Sequence, residues 1–307
     1  MRITLLFFAA LAMSAQSPPQ PRDAKWCETP RPAALAQWER APSPDAWFDV
    51  YRINANTFAI YEPRQMEHVI SYLLLGEKRA LLFDSGFGIG RIDLVLKSLT
   101  PLPVTVLNSH THYDHVGGNF AFDDIIAVDS NYTRGHAAGT PNDKVAYNVE
   151  AGFVCPPLPQ GVTPAAYSIR PFKISRTIRD GEKLDLGGRE LEILLTPGHT
   201  PDSLCVIDRK NRLLLTGDTF YPGNLWLFVP ETDLPSYERS MRRLSALESA
   251  VDKLLPAHNL PGAGPKLLGG VVEALRRIKA GEVAGEATQG RLRYRFEGFS
   301  ILLPGKQ

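Results

Sequence analysis

The run Ser109-His110-Thr111-His112-Tyr113-Asp114-His115 concentrates chemistry in a few positions. The chain has 7 His in 307 residues, and three of them fall inside this run beside an Asp. Imidazole and carboxylate are the ligands of zinc and similar metals, and a short loop leaving a strand can hold several around one point. His110 and His112 alternate as a strand end presents them, while Asp114 and His115 turn aside and could serve a second metal. Three further segments repeat one design, an apolar strand that runs out into a ligand-type residue. They are Leu194-Leu195-Thr196-Pro197-Gly198-His199, Leu214-Leu215-Thr216-Gly217-Asp218 and Leu254-Leu255-Pro256-Ala257-His258. Strands of one sheet end on a common edge, so residues just past them can converge on one cleft. His68 and His136 are left outside this set, the first in a strand-like run and the second in irregular sequence. No G-x-S-x-G is present, so nothing has the local pattern of a Ser-His-Asp site.

The elements that must carry these residues are legible from periodicity. Val69 to Leu75 and Ala80 to Phe83 flank the turn Gly76-Glu77-Lys78 and read as a hairpin. Ile92, Val95, Leu96 and Leu99 form the apolar stripe of a helix, and Val104 to Leu107 is a buried strand. In the second half, Leu191 to Leu195, Ser203 to Ile207, Leu213 to Leu215 and Val251 to Leu255 read as strands. Tyr237, Met241, Leu244 and Leu247 mark one helix, with Asp233 as its cap and Pro235 in its first turn. Lys266 to Ala280 marks another, stopped by Gly281. The alternating Arg291 to Phe296 returns as a strand beside Phe299 to Leu303. Two similar halves of interleaved strands and helices predict a sandwich of sheets with outer helices. Residues 131 to 170 have no strong period and read as an irregular pocket wall.

Composition excludes several functions. Lys+Arg number 34 against 33 Asp+Glu, and Arg2 is the only charge in the first fifteen residues, so the remainder is balanced. That leaves no basic field for nucleic acid or an anionic membrane surface. Residues 1–15 combine a basic start, the apolar run Ile3 to Ala12 and small residues at its end, the pattern of a secretory signal. A periplasmic or secreted location is the expectation, without a membrane anchor, since no Cys stands at the cleavage point. Residues 16–46 are rich in Pro and read as an arm or tether, with the domain proper spanning 47–307. Of three cysteines, Cys205 reads as a buried small hydrophobe, while Cys27 and Cys155 could pair.

On these motifs the chain resembles the metallo-β-lactamase superfamily over roughly residues 47 to 280. His110 to His115 stand as its H-x-H-x-D-H motif. Asp84, in Leu82-Phe83-Asp84-Ser85-Gly86, matches its earlier Asp, and His199, Asp218 and His258 match the later ligands. The resemblance implies an α/β fold, an αβ/βα sandwich of two mixed β-sheets, and two metal ions, most often zinc. His110, His112 and His199 would hold one and Asp114, His115 and His258 the other, with Asp218 bridging and Asp84 supporting from behind. Two dications about 3.5–4 Å apart supply hydroxide at neutral pH for attack on a carbonyl, with Asp114 or a water relaying the proton.

The same resemblance bears on the substrate, a small molecule. True β-lactamases of the superfamily typically carry Cys or Ser where Asp218 stands. Glyoxalase II-like enzymes follow that Asp with Cys-Gly and basic residues, absent from Thr219 to Trp226. Acyl-homoserine lactonases carry a Tyr at the offset of Tyr221. A lactone or ester is therefore the favoured substrate, with β-lactam or thioester as alternatives. Tyr221 is expected to stabilise the developing oxyanion, and Trp226 and Phe228 to line the pocket. A non-catalytic metal-binding scaffold would have lost ligands, and none is missing.

Overall fold

A computed structural model describes residues 20–305; the signal-like segment 1–15 and the first residues of the arm lie outside them. Eight strands cross the first sheet in chain order: β1 (Glu39–Ala41), β2 (Asp49–Asn54), β3 (Thr57–Tyr61), β4 (Ile70–Leu75), β5 (Ala80–Phe83), β6 (Val104–Leu107), β7 (Ile125–Val128) and β8 (Arg176–Ile178). β1 to β5 pair antiparallel and β5 to β8 parallel. Then follow β9 (Lys183–Asp185), β10 (Glu190–Leu195), β11 (Leu204–Asp208), β12 (Leu213–Gly217), β13 (Gly223–Trp226), β14 (Lys253–Pro256), β15 (Glu286–Thr288), β16 (Arg291–Phe296) and β17 (Phe299–Pro304). The second sheet has the order β14-β12-β11-β10-β9, and a third, smaller sheet the order β13-β17-β16-β15. That third sheet is an addition to the expected pair.

Period-two alternation explains why the strands of both large sheets read as continuous apolar runs: each face is buried. In β4, Tyr72 and Leu74 enter the core between the sheets while Leu73 faces outward. In β11, Leu204 and Val206 face that central core, while Cys205 and Ile207 pack beneath the helices on the far side. Those helices are α1 (Ile92–Leu99) on the first sheet, with α5 (Leu234–Ser245) and α6 (Leu267–Lys279) on the second; between them lie the short α2 (Tyr113–Val116), α3 (Asn131–Ala137) and α4 (Asn142–Val145). The expected stripes are the buried faces: Ile92, Val95 and Leu96 in α1, and Tyr237, Met241 and Leu244 in α5. Asp233 does stand at the start of α5. Its side chain accepts from the Ser236 hydroxyl instead of a backbone N–H.

Two expectations change. The 16–46 arm, where described, is no tether: β1 is the edge strand of the first sheet, and Leu35 and Trp38 are buried in the central core. Proline density pointed to a linker, but aromatic burial outweighs it. Residues 131 to 170 are not irregular throughout: they carry α3 and α4, with Val145, Val149, Tyr167 and Ile169 sealing the outer face of the first sheet while His136, Asp143, Lys144 and Tyr147 line a cavity. A disulfide joins Cys27 to Cys155, tying the arm to this wall, and Cys205 is a buried thiol pushed up to about 11 by burial.

Candidate metal centre

Strand ends deliver the ligand-type side chains to one point. β6 leads into the His-rich loop, β10 into His199, β12 into Asp218 and β14 into His258. Two glycines make the last turns possible. Gly198 has φ +146°, and a Cβ there would lie 2.3 Å from Tyr237 Cα; Gly217 has φ +50°, and a Cβ would lie 2.4 Å from Ser109 Cβ. Any other residue would push the following ligand out of line.

The seven candidates fall into two groups. His110 Nε2 lies 2.9 Å from His112 Nδ1, which lies 3.2 Å from His199 Nε2. Asp114 Oδ2 lies 3.1 Å from His115 Nε2 and 3.5 Å from His258 Nε2. Asp218 stands between them: Oδ1 is 3.0 Å from His258 Nε2, and Oδ2 is 3.6 Å from His199 Nε2. The ligand atoms within His110, His112 and His199, and within Asp114, His115 and His258, all lie within 4.8 Å of one another. His110, His115 and Asp218 lie as close to one another, linking the two groups.

Each imidazole is held from behind. His112 Nε2 donates to Glu231 Oε1 (2.8 Å) and His115 Nδ1 to Asp84 Oδ2 (3.0 Å). His199 Nδ1 donates to the Trp226 carbonyl (3.0 Å) and His258 Nδ1 to the Glu67 carbonyl (2.8 Å). His110 Nδ1 meets Ser109 Oγ at 3.0 Å. An oxygen that only accepts fixes the proton on the outer nitrogen, so the inner nitrogen of a neutral ring offers its lone pair to the cluster. Asp84 also accepts from the Ser109 N–H (2.6 Å) and is fully buried, as its supporting role requires.

With their outer nitrogens donating to Glu231 and the Trp226 carbonyl, the neutral rings of His112 and His199 face each other at 3.2 Å as two acceptors. His115 Nε2 and Asp218 Oδ1 are buried atoms without a hydrogen-bond partner. Burial and neighbouring imidazoles push His199 down to about 4 and His110 well below its ordinary range. Burial opposes charge on His258 and His115 as well, yet Asp218 and Asp114 outweigh it and lift His258 to about 9. His110 and His199 are thus neutral and electron-rich, while the carboxylates of the other group draw in positive charge. Divalent cations answer both demands, so the donor set fits a metal.

A model of the metallo-beta-lactamase superfamily matches residues 67–258, well over half of the chain. The chain belongs to that superfamily. Among curated members, acyl-coenzyme A thioesterase MBLAC2 of Gallus gallus is 29% identical over 204 residues, covering 62% of this chain and 73% of that protein. The probable metallo-hydrolase YqgX of Bacillus subtilis is 27% identical over 208 residues, covering 64% of this chain and 85% of its own. The solved metallo-beta-lactamase from Pontibacter korlensis superposes with TM-score 0.53 at 19% identity, over 75% of this chain and 99% of that one. MIM-2 metallo-beta-lactamase gives 0.53 at 22% identity, over 81% and 98%. These structural likenesses are to the superfamily's fold, here an α/β sandwich of mixed sheets with outer helices.

The centre opens on a cavity of about 790 Å³, lined by Asp114, Asp218, Tyr221, Trp226, Phe228 and Glu231 among others. Trp226 and Phe228 both line this cavity. Tyr221 reaches the cavity too, but its O–H donates to the Asn224 carbonyl at 2.5 Å and its ring packs 4.9 Å from that of His258. A phenol has one proton, and here it is committed. The expected oxyanion donor is therefore a wall residue that supports a ligand. His136 also lines the cavity, whereas His68 packs between Trp26 and Tyr61. Sequence reasoning missed Glu231 and Asp202. Buried Asp202 accepts from Thr111 (2.6 Å), Thr133 (3.0 Å) and Thr200 (2.7 Å), locking three loops together. Neither has a local signature; each reads as an ordinary acidic loop residue.

Proposed function

We propose that this protein is an exported binuclear zinc hydrolase that cleaves thioester or ester carbonyl bonds of small molecules. The carrying observation is the pair of ligand groups sharing Asp218 at the floor of a cavity. His110, His112 and His199 would hold one ion, Asp114, His115 and His258 the other, and Asp218 both. When bound, such ions supply Lewis acidity and lower the pKa of water. The chain's own residues do the rest. Trp226, Phe228 and Tyr221 give the cavity an apolar wall that seats an acyl group and limits water. Glu231, Asp84 and the backbone carbonyls keep the imidazoles aimed. Asp114, whose carboxyl is kept low by His115 and His258 against the cost of burial, stays ionised and can accept a proton released in the cavity.

The thioester or ester reading is preferred over the lactone because the one lactonase-like feature, Tyr221, has its hydroxyl engaged. The relative named acyl-coenzyme A thioesterase supports the same preference. Export is supported by the basic, apolar start of the chain and by the Cys27–Cys155 disulfide, which an oxidising compartment maintains. The test is a panel of thioester, ester, lactone and cephalosporin reporters, with and without chelator, joined to N-terminal sequencing of protein from the native host. Chelator-sensitive thioester or ester turnover and a chain beginning between Met13 and Ser17 are expected. Turnover that survives metal removal, or cephalosporin cleavage alone, would overturn the reaction assigned.

A further inference from the structure

The third sheet forms one wall of the cavity, and its alternation is informative. Trp226 on β13 pairs with Leu302 on β17, which pairs with Arg293 on β16. Paired residues share a face, and so do residues two apart. Asn224, Trp226, Leu302, Arg291 and Arg293 accordingly all line the cavity, while Tyr294, Phe296, Ile301 and Leu225 of the opposite face enter the core beneath α5 and α6. The alternation that makes β16 a strand thus aims two guanidinium groups into the space above the metal centre.

Those guanidinium groups lack counter-charges. Arg295, next along the same face, pairs with Glu286 at 2.9 Å, but neither Arg291 nor Arg293 forms an ion pair among the described residues. Arg293 Nε is buried without a hydrogen-bond partner. Arg291 lies 3.8 Å over the Phe228 ring and 5.8 Å from the Trp226 ring, and its partial burial favours the uncharged form. Arg22, from the disulfide-tied arm, lines the same cavity in the field of Glu67 and forms no ion pair among the described residues. Of the cavity's acids outside the ligand set, Glu231 holds His112, Glu67 accepts from the Tyr113 hydroxyl at 3.3 Å, and Asp143 pairs with Lys144 at 3.7 Å. Arginine stacked on an aromatic face, with free N–H groups, is suited to a planar or phosphate oxyanion.

We propose that Arg291 and Arg293, with Arg22 alongside, form an anion clamp, so that the substrate is an acyl compound bearing a carboxylate or phosphate remote from the scissile carbonyl. The inference rests on the hydrolase reading and adds the substrate's charge. β13 and β16 flank β17, so the clamp lies two strand spacings, ~10 Å, from the Trp226 backbone that holds His199. A tail of roughly eight carbons spans that distance at about 1.25 Å per bond.

The test uses S-butyryl thioesters of an eight-carbon mercapto-alcohol, the matching mercapto-alkyl phosphate and the matching mercapto-carboxylate. With metal-loaded enzyme, an anionic tail is expected to raise kcat/KM by roughly ten- to a hundredfold, mainly through KM, with the advantage shrinking in high salt. The phosphate and carboxylate arms distinguish the source of the oxyanion. In Arg291→Gln/Arg293→Gln the ratio of anionic to neutral kcat/KM should fall to near one. Equal kcat/KM for charged and neutral tails in the wild type, or an unaltered ratio in the variant, would overturn the clamp and leave the hydrolase reading standing. Should no tail be turned over, the hydrolase reading fails instead, and calorimetric binding of the intact phosphate-tailed thioester decides the clamp. Binding at least tenfold tighter than the neutral tail, lost in the variant, upholds it; no difference overturns it.

Discussion

Two buried polar clusters stand at opposite ends of the second sheet, and they solve the cost of burying charge differently. At one end, where β10 begins and β11 finishes, Arg189 and Asp208 are 2% and 0% exposed. Arg189 donates to Asp208 (2.7 Å), to the carbonyls of Asn56 (2.6 Å) and Leu75 (3.1 Å), and to Thr57 Oγ1 (2.8 Å). Asp208 also accepts from the Asn211 N–H (3.0 Å) and side-chain amide (2.7 Å). Every need closes inside the cluster, which rivets the first sheet to the second. At the other end, where β10 runs out to His199 and β11 begins, hydrogen bonds close only behind the imidazoles. In front, inner ring nitrogens and carboxylates converge, and His115 Nε2 and Asp218 Oδ1 are left without a hydrogen-bond partner. A closed polar cluster is a joint; one whose needs point to a shared centre is a site.

Mutations should separate the two. Asp218→Ala is expected to reduce hydrolysis by roughly a thousandfold or more and to lower metal content, while the metal-free chain unfolds within about 1 kcal/mol of wild type. Steady-state kinetics with denaturant titration checks both halves. Arg189→Ala should do the reverse, costing about 3–5 kcal/mol by leaving Asp208 buried and unpaired, with kcat of the folded fraction retained. A comparable loss of both properties in both variants would erase the distinction.

Glu231→Gln sharpens the comparison on the site side. The amide retains an acceptor for His112 Nε2 but removes the charge, so metal affinity should fall about ten- to a hundredfold, measured by competition with a chromophoric chelator. Tyr221→Phe is the smallest expected effect. With the hydroxyl committed to Asn224, kcat should change by less than about threefold, and stability by about 1 kcal/mol for the unpaired carbonyl. A larger kcat loss would restore the phenol as a donor to substrate.

Much of the site was legible because its residues are rare and their order is imposed. The His-rich loop, and His199, Asp218 and His258 after apolar runs, identify themselves, and the two-sided burial of β4, β5, β11 and β12 makes a sandwich readable. Glu231, Asp202 and Arg189 were not legible. A lone charged residue in a loop looks the same whether it meets water or a buried partner, and only the fold distinguishes them. Tyr221 misled for a related reason: its offset from Asp218 was visible, but the conformation that turns its hydroxyl to Asn224 was not. In β16 the alternation was visible, but which face meets the cavity depended on pairing with β17 and β13.

The central claim is that two ligand groups share Asp218 to hold two ions. Native mass spectrometry of zinc-loaded protein tests it most directly. The account predicts two ions per wild-type chain and at most one firmly held in Asp218→Ala. A wild-type chain that holds fewer than two ions, or an Asp218→Ala chain that retains two, would contradict it.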